Sequence, residues 1–294
     1  MNRRNFTKIA GIGALGMGIS TLLELENLAG VLQNSERMPA MFVGHGSPMN
    51  AIEQNEFTRG FRAVANALPQ QPQAILCVSA HWFTEGTKVL TVAQPETIHD
   101  FGGFPRALYD VEYPAPGHPE LARETISLLG DVAQPDSEWG LDHGTWSVIK
   151  HMYPNANVPV YQLSIDYTKD AAYHFELAGR LKKLREKGVL IVGSGNIVHN
   201  LREIDWSQGT IRENGYDWAM ETRSAINNLL LEGNYQPLLD YRNQGAAWRN
   251  SIPTPDHFLP LIYTLGVKAS SEDVELFNDK VLMGSISMTS VITR

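Results

Sequence analysis

Short apolar runs alternate with longer amphipathic stretches from Met38 onward, and this alternation predicts a layered α/β domain. Runs at 40–44, 74–79, 88–93, 158–164 and 189–192 are rich in β-branched or apolar residues and bounded by Gly, Pro or polar positions, as core strands are. Helical spacing predicts helices over 57–68, 119–129, 171–187, 218–231 and 257–265, with Pro119 in a first turn where a missing N–H does no harm. The C-terminal run 280–293 alternates as a final strand or hairpin does. The segment 101–118 holds Gly102, Gly103, Pro105, Pro114, Pro116 and Gly117, and reads as a long irregular loop of the kind that walls or covers a site. With no internal repeat and no long linker, residues 36–294 form one layered domain, a central mixed β-sheet flanked by helices.

The first 35 residues stand apart. Arg3-Arg4-Asn5-Phe6-Thr7-Lys8 leads into the mildly apolar stretch Ile9 to Leu23, where Gly11, Gly13, Gly16 and Gly18 each cost a helix about 1 kcal/mol relative to alanine. Paired arginines, a phenylalanine two positions on and a glycine-rich apolar segment resemble a twin-arginine export signal, which implies a periplasmic location. The departure is at Glu24 to Gly30, which lacks a small-x-small cleavage site; the alternative is an amphipathic N-terminal helix on a cytoplasmic enzyme. The stretch is too short and interrupted for stable membrane insertion, which needs ~20 predominantly apolar residues.

Composition narrows the function by exclusion. At 43% hydrophobic and 19% charged, the 294-residue chain is not a disordered one. A net charge of -8, with no run of Lys and Arg, excludes nucleic acid as a primary partner. The single cysteine, Cys77, rules out disulfide frameworks and cysteine-based zinc sites. Its apolar surroundings favour a small hydrophobe in a buried strand over a reactive thiol.

The candidate chemistry lies in the histidines, nine in all. His45 in Val43-Gly44-His45-Gly46-Ser47-Pro48, His81 in Ser79-Ala80-His81-Trp82, His199 after Gly193-Ser194-Gly195-Asn196-Ile197-Val198, and His257 in Pro255-Asp256-His257-Phe258 all occupy turns, several of them at predicted strand ends. Ligands of open α/β sheets bind beyond the carboxyl ends of strands, so four such imidazoles converge as a metal site would require. Any one of them alone reads more readily as a hydrogen-bonded structural or surface histidine. Gly193-Ser194-Gly195-Asn196 lacks the third glycine of a dinucleotide loop and the Lys-Ser/Thr of a P-loop, which argues against a nucleotide. Asp142-His143, set between Trp139 and Trp146, places a proton-transfer residue among aromatics that suit stacking on an aromatic substrate while the imidazole hydrogen-bonds a substituent; the alternative is a structural turn with two core tryptophans.

Five ordered segments then carry a resemblance: Gly44-His45-Gly46-Ser47-Pro48-Met49, Ser79-Ala80-His81-Trp82, Gly140-Leu141-Asp142-His143-Gly144-Thr145-Trp146, Gly193 to Asn200, and Asp256-His257-Phe258-Leu259-Pro260-Leu261. From about Met38 to the C-terminus the chain resembles the 4,5-DOPA extradiol dioxygenases of the class III extradiol ring-cleavage superfamily. The resemblance implies one divalent metal ion per chain held by His45, His81 and His257, with His199 as fourth ligand or acid–base catalyst and His143 steering the substrate. It further implies a catechol, DOPA-like by default, and O2 as the small-molecule partners. Fe(II) is expected for turnover, because zinc has no redox chemistry, while Zn(II) is expected to fill the same histidines in isolated protein. The alternatives are a zinc-dependent hydrolase or lyase on the same histidines, or a non-enzymatic binding member of the superfamily.

Overall fold

The computed structural model describes residues 37–207, 209 and 212–294, so the signal-like segment falls outside the described residues. In chain order the strands are β1 (Ala40–Gly44), β2 (Ala74–Thr84), β3 (Thr87–Leu90), β4 (Ala133–Asp136), β5 (Val160–Asp166), β6 (Val189–Gly195), β7 (Val274–Phe277), β8 (Val281–Leu282), β9 (Ile286–Ser287) and β10 (Ser290–Thr293). Eight of them form one sheet in the order β4-β3-β5-β2-β6-β1-β10-β7, and β8 and β9 make a separate hairpin. The central strands β5, β2, β6 and β1 are parallel, whereas β3 joins one side and β10 the other in antiparallel sense, so the sheet is mixed.

Side chains alternate across a strand, so a sheet buried on both faces feeds two cores. Phe42, Leu76, Val78, Leu163, Val189 and Ile191 enter one core. Met41, Val43, Ile75, Cys77, Leu190 and Val192 enter the other. The helices covering these faces are, in chain order, α1 (Glu56–Asn66), α2 (Arg106–Tyr109), α3 (Pro119–Leu129), α4 (His143–Met152), α5 (Ala171–Gly179), α6 (Lys182–Glu186), α7 (Asp217–Glu232), α8 (Gln236–Leu239), α9 (Ala246–Ser251) and α10 (Leu259–Val267). Residues of α5, α7 and α10 pack into the first core, and Phe57, Phe61, Trp146 and Ile149 of α1 and α4 into the second. Cys77 is fully buried, and burial pushes its thiol pKa up, which fits the small-hydrophobe reading. Among the described residues no helix is long and apolar enough to cross a membrane.

Several elements differ from the sequence expectation. The stretch 171–187 is two helices: after Gly179 the chain tightens, with Arg180 N–H bonded to the Leu177 carbonyl and Leu181 N–H to that of Ala178. The Asp142-His143 segment opens helix α4, whose N-cap is Asp142, accepting from Thr145 N–H at 3.1 Å. All of α4 but Lys150 is buried, so it carries no amphipathic period to betray it. The edge strands β4 and β7 are also additional; their exposed positions and, in β4, Pro135 hide the strand pattern.

Candidate metal centre

The strands that carry the site are neighbours, in the order β2-β6-β1. His45 follows β1 directly, its N–H bonded to the Gly195 carbonyl at the end of β6 (3.0 Å). His81 lies in β2 where the register against β5 shifts between Val78 and Phe83, an irregularity that re-aims the side chain. His257 comes just before α10, and its carbonyl accepts from Asn196 N–H at 2.9 Å. His199 follows β6 and is fixed through its N–H to the Ser251 carbonyl at 2.8 Å. His143 is the first residue of α4.

Three of the rings form a nearly equilateral triangle. The centroids of His45 and His81 are 5.1 Å apart, those of His45 and His257 5.2 Å, and those of His81 and His257 5.0 Å. The other two rings flank different corners: His143 lies 3.9 Å from His81, and His199 stacks flat on His257 at 3.5 Å with a 9° interplanar angle. Ligand atoms of His45, His81 and His143 lie within 4.8 Å of one another, as do those of His199, Asp256 and His257. All five histidines singled out in the sequence therefore meet in one place.

Each ring of the triangle has a partner at Nδ1. Ser194 Oγ donates to the Gly144 carbonyl, so at 3.0 Å from His45 Nδ1 it accepts, and His45 Nε2 is left as a lone pair. Asp256 holds His257 Nδ1 in a short hydrogen bond. Asp100 Oδ2 faces His81 Nδ1 at 3.4 Å and His143 Nδ1 at 3.0 Å. Carboxylate or hydroxyl partners behind the ligand histidine are the usual device for fixing tautomer and ring orientation at a metal.

The electrostatics favour neutral rings. Burial, reinforced by neighbouring imidazoles, drives the pKa of His45 and of His257 well below the ordinary histidine value. Burial likewise pulls His81 and His199 down to about 4. Burial opposes ionisation of Asp100, but its bond to His143 and the nearby His81 hold its carboxyl below the usual value. Neutral imidazole is the ligating form. Two ligand nitrogens at about 2.0–2.1 Å from a tetrahedral ion stand roughly 3.4 Å apart, and His45 Nε2 and His81 Nε2 are 3.4 Å apart. The donor set fits a divalent metal.

The surroundings of the triangle add further residues to the site. Asp142 is fully buried, accepts from Ser79 Oγ (2.6 Å) and Gln162 Nε2 (2.7 Å) and caps α4, which leaves the imidazole of His143 as the member of the pair that faces the cluster. Trp146 is fully buried with its indole N–H on the Ile98 carbonyl (2.8 Å), and the partly buried Trp139 stacks on Trp82 at 5.7 Å, so both tryptophans are engaged in packing. Phe101, from the long loop, presents its ring edge-on to His143 at 5.5 Å. Asp256 and Ser194 lie inside the sequence motifs without a role of their own there, and Asp100 lies in none of them.

A mixed α/β sheet with a buried polyhistidine cluster at the carboxyl ends of adjacent parallel strands defines the class, an α/β protein built around a candidate metal centre. Residues 38–292 match the family described as the catalytic LigB subunit of aromatic ring-opening dioxygenase, and the chain belongs to that family of oxygenase enzymes. It is 47% identical over 267 residues to a 4,5-DOPA dioxygenase extradiol of Escherichia coli K12, covering 89% of this chain and 96% of that one. A 4,5-DOPA dioxygenase extradiol of Beta vulgaris is 35% identical over 246 residues, covering 81% and 90%. A crystal structure of an uncharacterized protein from Escherichia coli K12 superposes with a TM-score of 0.75 at 42% identity, covering 87% of this chain and 99% of that one.

Proposed function

We propose that this enzyme opens the ring of a catechol with O2, using one divalent metal ion held by His45, His81 and His257. The observation that carries this reading is the triangle of imidazoles, each with a partner at Nδ1 and centroids 5.0–5.2 Å apart. The names of the relatives from Escherichia coli and Beta vulgaris support a DOPA-like catechol as the substrate class. When bound, Fe(II) supplies Lewis acidity toward the two catechol oxygens and electron exchange with O2, whereas Zn(II) fills the same nitrogens without redox chemistry.

The surrounding residues then have distinct tasks. His199, held by stacking on His257, offers a neutral ring that would take the catechol proton or serve as a fourth nitrogen ligand. His143 carries Asp100 behind its Nδ1, which leaves Nε2 to hydrogen-bond a substrate oxygen and steer it. Phe101 supplies an apolar edge beside His143, suited to an aromatic substrate. We also propose that the segment from Asn2 onward directs export, which sequencing the N-terminus of periplasmic protein would test.

Oxygen-electrode assays on Fe(II)-reconstituted enzyme test the function. With a panel of catechols that includes DOPA, one O2 should be consumed per catechol, with a yellow product. Catechol turnover that continues without oxygen would replace the proposal with hydrolase or lyase chemistry.

A further inference from the structure

Asp100 stands between two histidines with different tasks. Its Oδ2 lies 3.0 Å from His143 Nδ1 and 3.4 Å from His81 Nδ1, while Oδ1 accepts the backbone N–H of His143 at 2.8 Å. The approach to His143 Nδ1 is a close polar contact to a buried ring nitrogen that has no hydrogen-bond partner among the described residues. The two rings it touches are themselves 3.9 Å apart. One carboxylate thus spans a corner of the triangle and the ring beside it.

The loop that presents Asp100 is tied on several sides. Ile98 N–H bonds the Leu141 carbonyl at 2.7 Å, and Leu141 N–H bonds that of Glu96 at 2.8 Å. Trp146 donates its indole N–H to the Ile98 carbonyl, and Tyr113 N–H bonds Thr97 Oγ1 at 2.9 Å. Gly140 lets this pairing close, because a Cβ there would stand 2.3 Å from the Glu96 carbonyl oxygen. The position of Asp100 is therefore set by the same segment that opens α4 and presents His143.

We propose that Asp100 is a positioning residue shared by His81 and His143, fixing both rings as Nδ1–H tautomers so that both keep a lone pair at Nε2. The reading rests on the proposed metal-dependent function for the meaning of those lone pairs, but the tautomers themselves do not depend on it. A carboxylate accepts at both oxygens and donates at neither, so it selects N–H at any ring nitrogen facing it. An asparagine has one accepting oxygen and an NH2 that donates. With the oxygen kept by the His143 backbone N–H, the NH2 would face the rings and favour the opposite tautomer.

Long-range 1H–15N correlation of the imidazoles tests this in metal-free and in zinc-loaded protein, comparing wild type with Asp100→Asn. The wild type should show protonated Nδ1 at both His81 and His143, and the variant should move at least one of them to Nε2–H. Zinc competition titrations should show affinity falling roughly 10- to 100-fold in Asp100→Asn, the usual cost of losing a partner behind a ligating histidine. Asp100→Glu should recover part of that loss. Bare Nδ1 at either ring in the wild type overturns the proposal even if the variant fails to fold, as do unchanged tautomers with zinc affinity within twofold. If His45→Ala leaves zinc affinity intact, the metal-site reading fails, while the metal-free tautomers still decide the role of Asp100.

Discussion

Gly195 ends β6 so close to His257 that a Cβ built on it would lie 2.2 Å from the His257 carbonyl oxygen. The contact is with backbone, which has no rotamer to yield, and Asn196 N–H bonds that same carbonyl. The absence of a side chain at position 195 is what lets the end of a central strand and the His257 turn share one point in space.

Replacing Gly195 with alanine should therefore push His257 out of the triangle. Overpacking of this kind costs about 1–3 kcal/mol. The expected outcome is a lowered melting temperature together with weakened metal binding. Thermal denaturation of the metal-free variant and a zinc titration would show both, and unchanged zinc affinity would mean the turn accommodates the methyl group.

His199 and His143 flank different corners, so their losses should differ from those of the triangle residues. His199→Gln is expected to lower kcat roughly 100- to 10,000-fold, the usual range for removing a proton-transfer group. His143→Gln should raise KM as well, since its proposed task is to steer the bound catechol. Steady-state kinetics on variants with verified iron content would separate the two.

Outside the site, His174 makes stability depend on pH. It is fully buried, its Nδ1 accepting from the Tyr263 hydroxyl (2.9 Å) and its Nε2–H donating to the Asp166 carbonyl (3.1 Å). Burial lowers its pKa from 6.5 to about 4. As pH falls the unfolded chain takes up this proton first, so stability is complete above 6.5 and declines toward pH 4. Wild type should lose stability relative to His174→Asn by on the order of 3 kcal/mol across that window. Urea melts at several pH values would show the divergence, and parallel curves would contradict it.

How much of this was legible in the sequence depends on what each feature needs. The core strands announce themselves because β1, the first half of β2 and most of β6 are unbroken apolar runs, and His45 and His199 follow two of those runs in turns. Helix α4 was not legible, because a helix buried nearly all round has no polar face and its glycine and tryptophan suggest a turn. Asp100 was not legible either: it lies 43 residues from His143 and 19 from His81 in the chain. Tertiary pairing of the loop, with Leu141 above all, brings it to both.

The central claim is that His45, His81 and His257 share one ion. An anaerobic Fe(II) titration of the metal-free protein measures this directly. The account predicts one tight Fe(II) per chain in the wild type and loss of that site in each of His45→Ala, His81→Ala and His257→Ala, with the fold intact by circular dichroism. Tight binding that survives in any of the three folded variants would contradict it.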